Sequence, residues 1–125
     1  FTLNSAFYYW GLTDTIPDHY YLVTKRGKRR ITDTRVVHIF ENSDELELGT
    51  VTMDYDGAKI RIYCKERLLV ELIRNKRKFP FDLYKEIINN YRKQMNTLNV
   101  AEIADYAMLL PKSNMIMETL RMEVL

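Results

Sequence analysis

The sequence predicts an α+β domain: a short N-terminal helix, an antiparallel sheet with a hairpin around Asp56-Gly57, then about four C-terminal helices. Three observations carry this reading. The middle of the chain is rich in β-branched and aromatic residues. From Lys65 onward the apolar period lengthens from two to about 3.6 residues. Between these regimes Asp56-Gly57 supplies a dipeptide in which both positions accept positive φ, as a type I′ hairpin turn requires. Strands followed by helices is the order of an α+β fold.

Each element has its own local warrant. Asn4 to Leu12 predicts a short helix, with Asn4 or Thr2 to cap its free N–H groups and Gly11 at the left-handed position that ends it. Thr13 to Asp18, with Pro17 inside it, reads as a turn. His19 to Thr24 and Arg35 to Phe40 contain no Gly or Pro and read as strands. A two-residue loop at Asp56-Gly57 pairs Tyr55 with Ala58, Asp54 with Lys59, Met53 with Ile60, Thr52 with Arg61 and Val51 with Ile62. Leu46 and Leu48 fall out of phase with that alternation, which predicts a bulge near Gly49.

The helical half begins with Glu66 to Arg74, carrying Leu68, Leu69, Leu72 and Ile73 on one face. After Pro80, Asp82 is placed to cap a helix with Tyr84, Ile87, Ile88 and Tyr91 as its apolar stripe. Asn99 and Glu102 have capping-box spacing, followed by Val100, Ile103, Ala104 and Ala107 as a buried stripe. Pro111 stops that helix, and Ser113 is placed to cap a last one with Ile116, Met117, Leu120 and Val124. No repeat, low-complexity tract or Gly/Ser linker divides the chain, so residues 1–125 read as one domain.

Composition narrows the class of protein. A chain of 125 residues can bury a core without staples, and 46% apolar with 29% charged residues is a globular balance. No apolar run is long enough to cross a bilayer and no signal-peptide pattern opens the sequence. With Cys64 as the one cysteine, this predicts a cytoplasmic protein with no membrane partner. The net charge of +2 makes the whole chain a weak attractor of nucleic acid, but its charges are not spread evenly. Lys25, Arg26, Lys28, Arg29 and Arg30 crowd around Gly27, and Arg74, Lys76, Arg77 and Lys78 form a second run. Either run reads as a solvated loop or as a phosphate-contacting surface.

No catalytic constellation emerges, so the sequence predicts no enzyme, no cofactor and no metal. Cys64, His19 and His38 lack ligand spacing. Cys64 continues the apolar face of Ile60 and Ile62, which predicts an inert thiol. Asp54, Asp56, Glu66 and Lys65 are the one set a metal-dependent nuclease could use, yet the hairpin and a helix start already account for them. Clustered aromatics at Phe7 to Trp10 and at Tyr20-Tyr21 read as core, with base stacking as the alternative. Met115, Met117 and Met122 in the last helix read as core or as an interface.

The wording of three segments adds a resemblance. Asn4 to Asp18 (NSAFYYWGLTDTIPD), Ile60 to Arg74 (IRIYCKERLLVELIR), and Leu83 to Glu86 with Tyr91 and Ile103 to Ala107 resemble, in order and spacing, the C-terminal domain of AbiEi-family antitoxins. The likeness spans about residues 3 to 110; one departure is Leu69-Val70-Glu71, where the family more often has Leu-Leu/Ile-Asp. The resemblance implies the C-terminal domain of a bacterial antitoxin and transcriptional autorepressor of an abortive-infection operon. It implies operator DNA as a partner, read chiefly by an N-terminal winged helix-turn-helix expected to lie outside this chain, which opens at Phe1. It also implies a nucleotidyltransferase-like toxin counteracted without a stable complex, with self-association possible. Auxiliary DNA contact by a basic surface would fall first on Lys25 to Arg30 and then on Arg74 to Lys78. The alternative is a protein-interaction or dimerisation domain with no DNA contact of its own.

Overall fold

A computed structural model describes residues 1–27 and 32–124. Its elements are α1 (Leu3–Tyr9), β1 (Tyr20–Lys25), β2 (Val36–Glu41), α2 (Ser43–Leu46), β3 (Thr50–Tyr55), β4 (Ala58–Tyr63), α3 (Lys65–Arg74), α4 (Phe81–Lys93), α5 (Val100–Leu109) and α6 (Ser113–Thr119). α6 continues through a π-helical turn at Leu120–Val124, and single 3₁₀ turns stand at Lys76–Lys78 and Met95–Thr97. This is the α+β class the sequence predicts, with the short first helix, the hairpin and a helical C-terminal half. Among the described residues no helix is long and apolar enough to cross a membrane.

The hairpin β3–β4 has the predicted register at every pair, with Asp56 at φ 49° and Gly57 at φ 81° in its turn. β1 and β2 differ from the expected antiparallel sheet: they pair parallel, Tyr20 opposite Val36 through Lys25 opposite Glu41. Alternating apolar residues favour a pleated, half-buried strand but carry no information about its direction. The two sheets are stitched by the extended first residues. Phe1 N donates to Arg61 O at 2.8 Å and Tyr63 N–H donates back to Phe1 O, while Thr2 N–H donates to Tyr21 O at 2.9 Å.

Several local expectations are corrected. Instead of a bulge near Gly49, α2 and a tight turn at residues 47–49 occupy that stretch, because Leu46 O accepts the buried Tyr63 hydroxyl at 2.6 Å. Pro80 rather than Asp82 holds the cap position of α4, and Lys112 rather than Ser113 that of α6. Neither Thr2 nor Asn4 makes a side-chain cap on α1, although Gly11 ends it at φ 73° as expected. Asn99 does cap α5, accepting Glu102 N–H at 3.1 Å. Its own N–H goes to Glu66 Oε2 at 2.9 Å, which ties α5 to the start of α3.

α3 is the axis of the core. Every residue from Arg67 to Ile73 is buried, with α1, α5, α6 and β4 packed around it. Phe7 meets Phe79 and Tyr91 edge-on with ring centroids 6.0 and 6.5 Å away, and the Tyr91 hydroxyl donates to Lys65 O. The predicted stripe of α4 (Tyr84, Ile87, Ile88, Tyr91) is buried, as are Ile116, Leu120 and Val124 on the last helix. Of the three methionines there, Met117 is half-buried, while Met115 and Met122 face outward.

Arg67 is the residue that the helical pattern does not foresee, being 0% exposed. Its Nη1 donates to Glu45 O at 2.8 Å and Leu48 O at 2.7 Å, and its guanidinium lies 4.3 Å from the centre of the Tyr63 ring. The buried carboxylates of Glu71 and Glu41 stand 3.5 Å from Nε and 3.8 Å from Nη2, close enough for charge neutralisation but not for hydrogen bonds. Arg74 completes the network, 2.7 Å from Glu71 and 3.1 Å from Glu41.

Candidate nucleic-acid interface

Local sequence sets the basic turn. Asn75 closes α3 by donating its side chain to Glu71 O, and Lys76–Lys78 form one 3₁₀ turn. Phe79 then plugs into the core, so the three cations are held outward on a fixed hinge. Opposite them, Leu110 is buried and Pro111 ends the preceding helix, which leaves Lys112 at the junction of α5 and α6 with φ 67°. The left-handed region is costly for a residue with a Cβ, and here it sets Lys112 across from the basic turn. Between them runs a groove of about 880 Å³, whose charged lining is Arg74, Lys76, Arg77, Lys78 and Lys112, with no carboxylate.

Two further clefts adjoin this groove. One, of about 370 Å³, shares Arg74, Asn75, Lys78 and Lys112 with it and adds Arg26 from the end of β1. The other, of about 320 Å³, shares Phe81 and Tyr84 with it and adds Lys85 and Arg92 from α4. The three form a continuous track from Arg26, past the basic turn and over Phe81, to Arg92. Arg26 of the first basic run and the second run, about a third of the sequence away, thus line one surface.

The electrostatics of the track are one-sided. Its carboxylates, Glu41, Glu71 and Glu123, are each matched internally: the first two by Arg74 and Arg67, the third by Lys76 at 3.2 Å. Lys76 also lies 5.0 Å from the centre of the Tyr84 ring. Burial would lower the pKa of Arg74, but Glu71 and Glu41 outweigh it and hold the guanidinium firmly charged. Among the described residues, no ion pair involves Arg26, Arg77, Lys78, Lys85, Arg92 or Lys112. These side chains leave a net positive strip that polyanions would neutralise.

The sequence-selected residues therefore divide. Arg77 and Lys78 are exposed on the track and Arg26 lines its far cleft, while Lys25 is exposed but lines none of the three clefts. Lys76 is shared between the groove and Glu123, and Arg74 is committed to the buried acidic pair. Lys28, Arg29 and Arg30 lie outside the described residues. The sequence pattern does not mark Lys112, Lys85, Arg92 or Phe81 as candidate contacts. Lys85 and Arg92, seven residues apart on one helix, carried a periodic signal, whereas Lys112 alone after Pro111 carried none.

The side chains considered for catalysis have structural partners or stand apart. Cys64 caps α3, its sulfur accepting Arg67 N–H at 3.5 Å, and burial pushes its thiol pKa up. His38 Nδ1 lies 2.7 Å from the Thr24 hydroxyl. Asp54 and Asp56 are exposed on the hairpin, Glu66 accepts from Asn99 and Lys65 donates to Gln94 Oε1. Among the described residues no three of His, Cys, Asp and Glu gather as a metal site. The aromatic cluster of α1 packs inward or against its neighbours, Tyr9 with Phe1 and Tyr55, and Phe7 with the core. No family model matches the chain, and comparison with curated proteins finds no match.

Proposed function

We propose that this chain is the antitoxin and regulatory domain of a bacterial autorepressor from an abortive-infection toxin–antitoxin operon, acting in the cytoplasm and assisting operator DNA binding through its basic track. It is not read as an enzyme. The family reading rests on the resemblance of Asn4 to Asp18 and Ile60 to Arg74; the DNA role rests on one observation, that Arg26 and the Arg77-Lys78 turn line one continuous surface. Cations gathered in this way gain affinity for phosphates by releasing condensed counterions. The toxin would be a nucleotidyltransferase-like protein, counteracted without a stable complex.

The test is a salt titration of binding to duplex DNA from the upstream region of the protein's own gene. Affinity should fall linearly with the logarithm of salt concentration, and Lys78→Ala with Lys112→Ala should reduce the slope by about one each. Absence of duplex binding at low salt, or a slope untouched by both substitutions, would remove the DNA role. Restoration of growth on co-expression with the toxin of the same operon tests the antitoxin role separately.

A second reading, a self-association domain, is favoured by Met108 and Leu109, which stand side by side at the end of α5 with 70% and 61% exposure. Sedimentation that shows a dimer lost in Met108→Glu, with duplex binding absent, would favour it.

A further inference from the structure

We propose that the track accepts an unpaired nucleic-acid strand, with Phe81 as the platform on which a base stacks. This rests on the nucleic-acid reading above and narrows it to the form of the ligand. Phe81 opens α4, directly after Pro80, and is 72% exposed. A lone exposed apolar side chain is ordinary on a protein surface. This ring is distinguished by its position: it lines both the main groove and the cleft beyond it, with Arg77, Lys78 and Lys112 on one side and Lys85 and Arg92 on the other. Among the described residues it makes no ring–ring or cation–π contact, so its faces are available.

An aromatic face set midway along a cationic groove is the arrangement that binds single strands, because phosphates follow the cations and every unpaired base presents a π-face to the ring. An intact duplex has its base faces occupied by its own stack, and it is stiff over about 150 base pairs. It can meet the cations but has nothing to offer the ring. A single strand can turn with the three clefts and use both.

Fluorescence anisotropy with a labelled mixed-sequence single-stranded DNA, and with the same sequence as a duplex, separates the possibilities. Phe81→Ala should weaken single-strand binding about tenfold while leaving the salt slope unchanged, since no charge is lost. Duplex binding should stay within about twofold, because phosphate contacts alone support it. Phe81→Trp should restore single-strand binding and add a tryptophan emission that is quenched on binding. Circular dichroism of both variants would confirm that this exposed position leaves the fold intact. Equal single-strand affinity for Phe81→Ala and the parent would overturn the proposal, and so would an equal loss on duplex, which would make the ring a wedge between stacked pairs. Duplex binding without single-strand binding would sink this inference and leave the operator reading standing. Failure to bind either would sink both.

Discussion

Gly49 faces Arg67 so closely that a Cβ added at Gly49 would lie 2.7 Å from the Arg67 Cβ, and 3.3 Å from Cζ of Tyr106. The approach follows from the buried guanidinium: Arg67 donates to Glu45 O and Leu48 O, which draws the turn at residues 47–49 down onto α3. Gly49 also stands at φ 81°, a region that side chains rarely adopt. Gly49→Ala therefore combines backbone strain with overpacking against a helix that has no room to shift, and should cost about 2–4 kcal/mol. Urea denaturation should show a lower midpoint with an unchanged slope; a loss under about 1 kcal/mol would mean the turn slides off α3 at little cost.

Three carboxylates and two guanidiniums meet in that region, and two of the carboxylates, Glu41 and Glu45, are shifted in opposite directions. Burial and the neighbouring Glu41 carboxylate raise the pKa of Glu45. Glu41 is held low: burial opposes its ionisation, but hydrogen bonding to Glu45 and the charge of Arg74 outweigh it. An acid whose folded pKa is raised destabilises the fold above that pKa and ceases to do so below its unfolded value. Glu45→Gln should accordingly be more stable than the parent at neutral pH. The gain should shrink as pH falls through the raised Glu45 pKa, and vanish below the ordinary carboxylate range. Thermal melts of both proteins between pH 4 and 8 would show converging curves; a gap that widens toward acid would reverse the assignment.

The hairpin was legible in full because two adjacent residues fixed both its turn and its register. Asp56-Gly57 requires positive φ twice, and one correct pair then determines all the others. The stripe of α4 was legible for a similar reason, since that helix shows one apolar face to the core, whereas α5 buries Ile103 and Ala107 of its expected stripe but leaves Val100 exposed at its first turn. α3 was half legible: Leu68, Leu69, Leu72 and Ile73 announced a buried face, whereas nothing in the apolar pattern marks Arg67 and Glu71 for burial. Their burial depends on Glu41 arriving from the end of β2 and on the Glu45 and Leu48 carbonyls that Arg67 reaches, partners that no local window contains. The track has the same limit. Each basic run was visible as a run, yet that Arg74 meets Glu41 within the fold while Arg26 and Lys112 share its cleft is decided by tertiary contact.

Lys112 offers a test in which stability and binding part ways. It holds φ 67° at the start of α6 and makes no side-chain cap there. Replacing it by Gly removes the left-handed strain and should stabilise the domain, or leave it unchanged, by up to about 1 kcal/mol. The same change deletes a cation from the middle of the track, so nucleic-acid affinity and its salt dependence should both fall. A thermal melt alongside a binding titration reads both effects. Destabilisation by Lys112→Gly would show that the side chain supports the fold, and the left-handed backbone would then need another explanation.

Arg74 and Lys78 belong to one basic run but should respond to truncation in opposite ways. Arg74 is 2.7 Å from Glu71 and 3.1 Å from Glu41, both buried, so Arg74→Ala leaves carboxylates without their main partner. Breaking a buried pair from one side costs about 3–5 kcal/mol, and the partly exposed Arg74 should fall toward the lower end of that range. Lys78 is exposed and has no ion pair among the described residues, so Lys78→Ala should shift stability by less than about 0.5 kcal/mol. In binding the order should invert: Lys78→Ala flattens the salt dependence, while Arg74→Ala acts only as far as it unfolds the domain. Measuring both quantities on both variants, below the melting temperature of the weaker one, separates a residue that holds the surface from one that uses it. An Arg74→Ala protein that remains fully stable yet loses salt-dependent binding would place Arg74 among the phosphate contacts and leave Glu41 and Glu71 to Arg67 alone.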